Sequence, residues 1–219
     1  MLKKLSLLLI VLLVLTTGVV SAQGTATAYV VHGIPGLVVD VYVNGRLFVE
    51  DFAPGTIAGP LTGPAGTADV AIVAANGNPN NPALAATLTV QAGQNLTAVA
   101  HLDANGAPKL SVFENDVSPT SSARVVIRHT AAAPAVDLLL FPGTPSEQRF
   151  GPLSNGQEAQ LEVPAGSYTG AIVPTGTSNA VLGPSSFNFR AGKVYFVYVI
   201  GSLANGTAGP LLQVVEVGS

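Results

Sequence analysis

The chain has no cysteine and no tryptophan, one methionine among 219 residues, and a charged fraction of only 10%. Without cysteine there are no disulfides, no thiol nucleophile and no Cys-ligated zinc, so stability must come from packed cores. Nine Lys and Arg stand against twelve Asp and Glu. With no basic excess to neutralise phosphates, nucleic acid is not expected as a partner. Charge is so sparse that the solvent face must be made largely of Thr, Ser, Asn, Gln and Gly. The lack of Trp removes the best platform for stacking on sugars. Most of the eight Phe and five Tyr sit within strand-like runs, such as Phe187, Phe189, Tyr195 and Phe196. Beyond residue 22 no stretch carries a 3.6-residue apolar period, which argues against helices. Neither a Gly-rich phosphate cradle nor a Gly-x-Ser-x-Gly elbow occurs.

The first 22 residues read differently from the rest. Lys3 and Lys4 precede an apolar run, Leu5 to Leu15, broken only by Ser6, and Val20-Ser21-Ala22 fits the small-x-small cleavage rule. This is the pattern of a secretory signal peptide (1–22), with cleavage expected after Ala22. The run is short for a membrane span, and no Cys follows to take a lipid. No stable membrane span is therefore expected once the signal is cleaved, and the closing "LLQVVEVGS" carries no wall-sorting or membrane signal. Loss of Lys3 and Lys4 leaves a mature charge of about −5. An exported chain without disulfides points to a bacterial source, and to the periplasm, the cell surface or the medium.

The mature part repeats. "VVHGIPGLVVDVYVNG" (Val30–Gly45) returns as "VIRHTAAAPAVDLLLF" (Val126–Phe141), each with a His eight residues before an Asp. His32 maps to His129, Pro64–Gly66 to Pro164–Gly166, Gln91–Gly93 to Arg190–Gly192, and Asn105-Gly106 to Asn205-Gly206. Four landmarks in one order with one near-constant offset identify two homologous domains, 25–116 and 122–218, joined by the polar "NDVSPTSS". Each domain reads as all-β. Short runs rich in Val, Ile, Thr, Tyr and Phe alternate with Gly, Pro and Asn. In the first, strands are expected near 26–33, 37–43, 46–52, 56–62, 67–75, 83–90, 95–103 and 107–113. Asn44-Gly45 is a strong two-residue hairpin signal, and the later Asn-Gly pairs mark a last hairpin in each domain. Seven or eight strands in such a length predict tandem immunoglobulin-like β-sandwiches.

With "GPAGTADVAIV" and "VQAGQNLTAVAHL" added to the first motif, and "LEVPAGSYTGAIV" and "FRAGKVYFVYVIG" to the second, the sequence resembles the bacterial extracytoplasmic family known as domain of unknown function 4397. The first copy departs from that family's pattern at Ala68 and Leu96, where Tyr is usual. The second has "FPGTPSEQ" in place of the Asn-Gly hairpin. The resemblance implies an exported module, often in tandem, and supplies no catalytic residues.

Four residues invite a chemical reading: His32, Asp40, His129 and Asp137. By parity each His continues the stripe of Ala28 and Val30, or of Val125 and Ile127, at the end of its strand. An imidazole there is read as half-buried and bonded to a loop carbonyl or a carboxylate. Each Asp lies opposite the valines and leucines of its strand, where it is tolerated only if its oxygens accept hydrogen bonds. These are expected to be structural pairs. A triad would need a nucleophile, and no Ser or Thr recurs beside both pairs. Zinc or copper would need ligands converging in one pocket, whereas His32, His101 and His129 are split between two domains. Asp103-Ala-Asn105-Gly106 resembles the start of a calcium loop but lacks a distal carboxylate, and a hairpin turn accounts for it. No catalytic residue, metal or cofactor is expected. The loop "NGNPNNP" is the candidate binding segment, through Asn76, Asn78, Asn80 and Asn81. The expected role is that of an exported, non-enzymatic structural or interaction protein of the envelope or medium. Its partners would be other envelope or extracellular proteins or further copies of itself. The alternative is a module that binds a glycan or a protein receptor through the loop at 76–82.

Overall fold

Asn44 and Gly45 take φ of 51° and 73°, the two consecutive left-handed residues that a type I′ turn needs. They join β2 (Val39–Val43) to β3 (Arg46–Phe52), as the sequence predicts. The computed structural model describes residues 24–219; the signal peptide read at 1–22 lies outside the described residues. Every regular element described is a strand. The first domain adds β1 (Thr25–His32), β4 (Ile57–Pro64), β5 (Gly66–Ala74), β6 (Leu84–Val90), β7 (Asn95–Leu102) and β8 (Pro108–Glu114). The second repeats them as β9 (Ala123–His129), β10 (Val136–Leu140), β11 (Gln148–Leu153), β12 (Glu158–Val163), β13 (Gly166–Pro174), β14 (Leu182–Phe189), β15 (Lys193–Ile200) and β16 (Gly209–Glu216).

Each domain is a sandwich of two four-stranded sheets. The orders are β4-β1-β7-β8 facing β3-β2-β5-β6, then β12-β9-β15-β16 facing β11-β10-β13-β14. Pairing is antiparallel except for β1 with β7 and β9 with β15, which run parallel at the centre of one sheet in each domain. The second domain's loops are longer than its Asn-Gly signals suggest. Asn205-Gly206 lies within an eight-residue connection between β15 and β16, closed by the Ser202 amide donating to Thr207 Oγ1.

Alternation assigns each strand face a role. Val30 points into the first sandwich with Val39, Val41, Phe52, Ile72 and Ala100. Val125 and Ile127 point into the second with Val136, Leu138, Ile172 and Phe189. The opposite faces of these inner strands are expected from the sequence to be the less apolar ones, yet they are buried more completely. Val31, Val99, Phe113, Val126, Val194, Phe196 and Tyr198 form one cluster that belongs to both domains. The sheet containing β1 and β7 therefore lies against the sheet containing β9 and β15, and four sheets stack in sequence. The central strands of the two inner sheets, β1, β7, β9 and β15, are covered on both faces over most of their length.

Arg128 is the exception inside this seam. It is fully buried, with its guanidinium 4.6 Å from the Phe113 ring centre and 4.7 Å from that of Phe196. An isolated buried charge is very costly. Here Nε pairs with Glu158 at 2.8 Å, Nη1 donates to the Tyr198 hydroxyl, and Nη2 donates to Asn115 Oδ1 at 2.9 Å. Asn115 opens the linker and also bonds Thr97 and Asn95. Further along the linker, Arg124 holds Asp116 and the Ser118 carbonyl. The Gly201 amide donates to the Gly33 carbonyl, and Asn155 Nδ2 donates to the carbonyls of both Leu102 and Ala131. The join is thus fastened to both domains by polar contacts around an apolar centre.

Candidate functional site

His32 ends β1 and His129 ends β9, and each ring turns into its own sandwich. Nε2 of His32 donates to the Leu37 carbonyl at 2.8 Å, and Nε2 of His129 donates to the Pro134 carbonyl at 2.9 Å. Both bonds span five residues, so each imidazole closes the loop that carries the chain from one sheet to the other. A carbonyl can only accept, which places the proton on Nε2. Nδ1 of each ring has no partner. The rings are fully buried, 1% and 0% exposed, rather than half-buried as expected from their strand-end positions. Burial drives both pKa values below the usual histidine range, against the opposing pull of the Leu37 and Pro134 carbonyls.

Asp40 and Asp137 lie on the outer face of β2 and β10, opposite valines or leucines that point inward. Both are buried nonetheless. Asp40 accepts the Asp51 amide at 2.9 Å and the Asn76 amide at 2.8 Å. Asp51 and Asn76 have φ of 48° and 61°, conformations unfavourable for side-chain-bearing residues. The carboxylate therefore holds a strained residue of β3 and the strained turn at Asn76. Asp137 does the same work with different partners: the Gly176 amide, the Thr175 hydroxyl and Arg149 Nη1 at 2.7 Å. Burial pushes its carboxyl up, but Arg149, the Gly176 amide and the Thr175 hydroxyl outweigh that and hold it below the usual carboxylate range.

One sequence expectation needs correction. His32 and Asp40 are not joined to each other, nor are His129 and Asp137. The His faces the sandwich interior from one sheet, while the Asp faces outward on the other. Each is bonded to backbone or loop groups, and Asp137 also to Arg149, rather than to its sequence companion. His101 is also fully buried, between the Leu102 carbonyl and Ser111 Oγ, both at 2.8 Å. Among the described residues no group of three or more His, Asp or Glu is arranged to hold a metal ion. Asp103 caps the β7–β8 hairpin by accepting the Asn105 and Ala107 amides, as turn chemistry predicts.

The Asn76–Pro82 loop is held by similar local bonds. Asn78 Oδ1 accepts the Asn80 amide, and the Asn78 carbonyl accepts the Asn81 amide. Asn76, Asn78, Asn80 and Asn81 are all exposed. Pro79 and Asn80 form one wall of a shallow depression on the outer face of the β2–β5–β6 sheet, whose floor includes Tyr42, Asp69 and Thr87. Asp69 accepts the Thr87 hydroxyl at 2.7 Å and donates its amide to Asn44 Oδ1. The sequence pointed to the loop; it gave no sign of Tyr42 or Asp69, because their approach depends on the pairing of β2 with β5.

A family model described as Domain of unknown function (DUF4397) matches residues 26–139, running through the first sandwich and into β10. No curated protein matches the chain. Among solved structures, the Bacillus anthracis TIE protein aligns with 81% of this chain and 34% of its own, at 16% identity and a TM-score of 0.28. The γ-CGTase of the alkalophilic Bacillus clarkii aligns with 83% of this chain and 28% of its own, at 15% identity and a TM-score of 0.24. The chain spans about a third of the length of these structures.

Proposed function

The chain belongs to the DUF4397 family, and from that premise we propose that it is an exported, non-enzymatic protein of the bacterial envelope or medium. Its role is structural: a stiff tandem unit that joins other envelope proteins or further copies of itself. What supports this reading is that both repeated imidazoles and both repeated carboxylates are engaged in holding loops and turns. The same devices occur once per domain, as bracing in a duplicated scaffold would. Export rests on the Lys3 to Ala22 pattern. The test is fractionation of the native cells with N-terminal sequencing and in-situ cross-linking. The expected result is a chain beginning at Gln23, outside the cytoplasm, cross-linked to itself or to an envelope protein. A cytoplasmic chain that retains Met1 would overturn the proposal.

A second reading is favoured by the depression beside Asn80, where an aromatic ring, a carboxylate and amides adjoin, a combination that suits a sugar. A glycan array probed with the wild-type chain and with an Asn78, Asn80 and Asn81 to Ala variant separates the two. A signal lost in the variant favours glycan binding, and a blank array favours the structural role.

A further inference from the structure

The two sandwiches share a plan but not a core. Between the sheets of the first lies a cavity of about 250 Å³; the corresponding space in the second is about 60 Å³. Strand register shows why. Gly66 pairs with Val90 and Ala68 with Leu88, where the second domain pairs Gly166 with Phe189 and Tyr168 with Phe187. On the neighbouring sheet, Leu96 stands beside Ala28 where Tyr195 stands beside Val125. In the second domain, four rings fill the interior. Phe189 lies 5.4 Å from Tyr168, 5.8 Å from Phe187 and 4.8 Å from Tyr195. In the first domain Ala68, Leu88, Val90 and Leu96 stand in the places of all four, and Val70, where the second domain has Gly170, offsets only part of that loss of volume. Protein interiors normally leave few voids larger than a water molecule. A cavity larger than the 150 Å³ engineered apolar void known to take benzene is therefore a built feature or a large defect.

Its shape and chemistry argue for a ligand. Lining residues on β5 run from Gly66 to Ile72, six strand steps or about 20 Å, so the space is long and one side-chain layer thick. No Lys, Arg, Asp, Glu or His lines it. Phe48, 39% exposed, lines one side. Asn44 and Thr67 lie at the end beside the β2–β3 turn, linked by the Asn44 amide donating to the Thr67 carbonyl. We infer that the first sandwich binds a single alkyl chain bearing an uncharged polar end group, with the chain between the sheets and the end group at Asn44 and Thr67. This site is separate from the outer depression beside Asn80 and does not depend on the role proposed above.

The test uses the purified chain with N-phenyl-1-naphthylamine as a fluorescent probe and 1-decanol as competitor. The expected result is saturable binding of one probe per chain, displaced by 1-decanol and at least tenfold less readily by decanoate. Leu88→Phe with Val90→Phe, which restores the second domain's rings, should weaken binding at least tenfold. Should that variant not fold, nuclear Overhauser contacts decide on the wild-type chain, from 1-decanol methylenes to the methyl groups of Leu88 and Val90. The absence of saturable binding, undiminished binding in the folded Phe variant, or decanol contacts confined to other residues would each overturn the inference.

Discussion

Asp40 and Asp137 illustrate what lets a carboxylate sit buried in a strand: every oxygen has a donor, supplied by the neighbouring edge strand and by the turn that follows β5 or β13. The histidines solve the opposite problem by staying neutral. His32, His101 and His129 are all fully buried, and burial lowers the pKa of each. In the unfolded chain they protonate near 6.5, so below that pH the unfolded state binds more protons and stability falls with pH. The expected outcome is a urea midpoint that is level above about pH 6.5 and drops between there and pH 5. Each histidine contributes a slope of at most about 1.4 kcal/mol per pH unit. Asp137, held low, adds its loss only at more acid pH, as the carboxyl protonates. A midpoint unchanged down to pH 5 would show that the imidazoles are not held neutral. That each imidazole bonds a loop carbonyl and each carboxylate accepts hydrogen bonds was legible from parity and repetition. That His and Asp serve separate loops was not, because the sequence gives their spacing and not which sheet each joins.

The strand boundaries of the first domain agree with their sequence expectation to within one or two residues, because Gly, Pro and Asn punctuate it so regularly. The signal missed was in "ARVVIRH" and "KVYFVYVI". The second run is apolar at both parities, the mark of a strand covered on both faces, whereas in the first Arg124 and Arg128 flank Val126 and hide the same burial. Ala68 and Leu96, visible as departures in the sequence, bear on core volume rather than on loops, which only the register of β5 with β6 and of β1 with β7 reveals. Element geometry also makes one glycine indispensable. A Cβ on Gly151, in β11, would run into Asp137 Oδ1 and the Val136 carbonyl, and its φ is +149°. Gly151→Ala should destabilise the chain by about 1–3 kcal/mol, read as a lower urea midpoint. An unchanged midpoint would mean that Asp137 has freedom the β10–β11 pairing does not suggest.

At the scale of the whole molecule, duplication has been followed by fusion. The shared cluster around Val126 and Phe196 makes each domain part of the other's core, so the two sandwiches should not unfold independently. Arg128 sets the register of this seam. Arg128→Met keeps the apolar stem but leaves Asn115 Oδ1 short of a donor in a buried place, at an expected cost of about 1–3 kcal/mol. Arg128→Lys should not restore the loss, since an ammonium cannot lie flat between Phe113 and Phe196; equal midpoints for Lys and wild type would contradict that. Fusion of the domains is what makes the protein stiff enough for the structural role proposed, and differential scanning calorimetry tests it most directly. The wild-type chain should unfold in one transition whose calorimetric and van't Hoff enthalpies agree, and Val126→Asp should split that transition in two. Two transitions in the wild type, or a Val126→Asp variant that melts like it, would contradict the account.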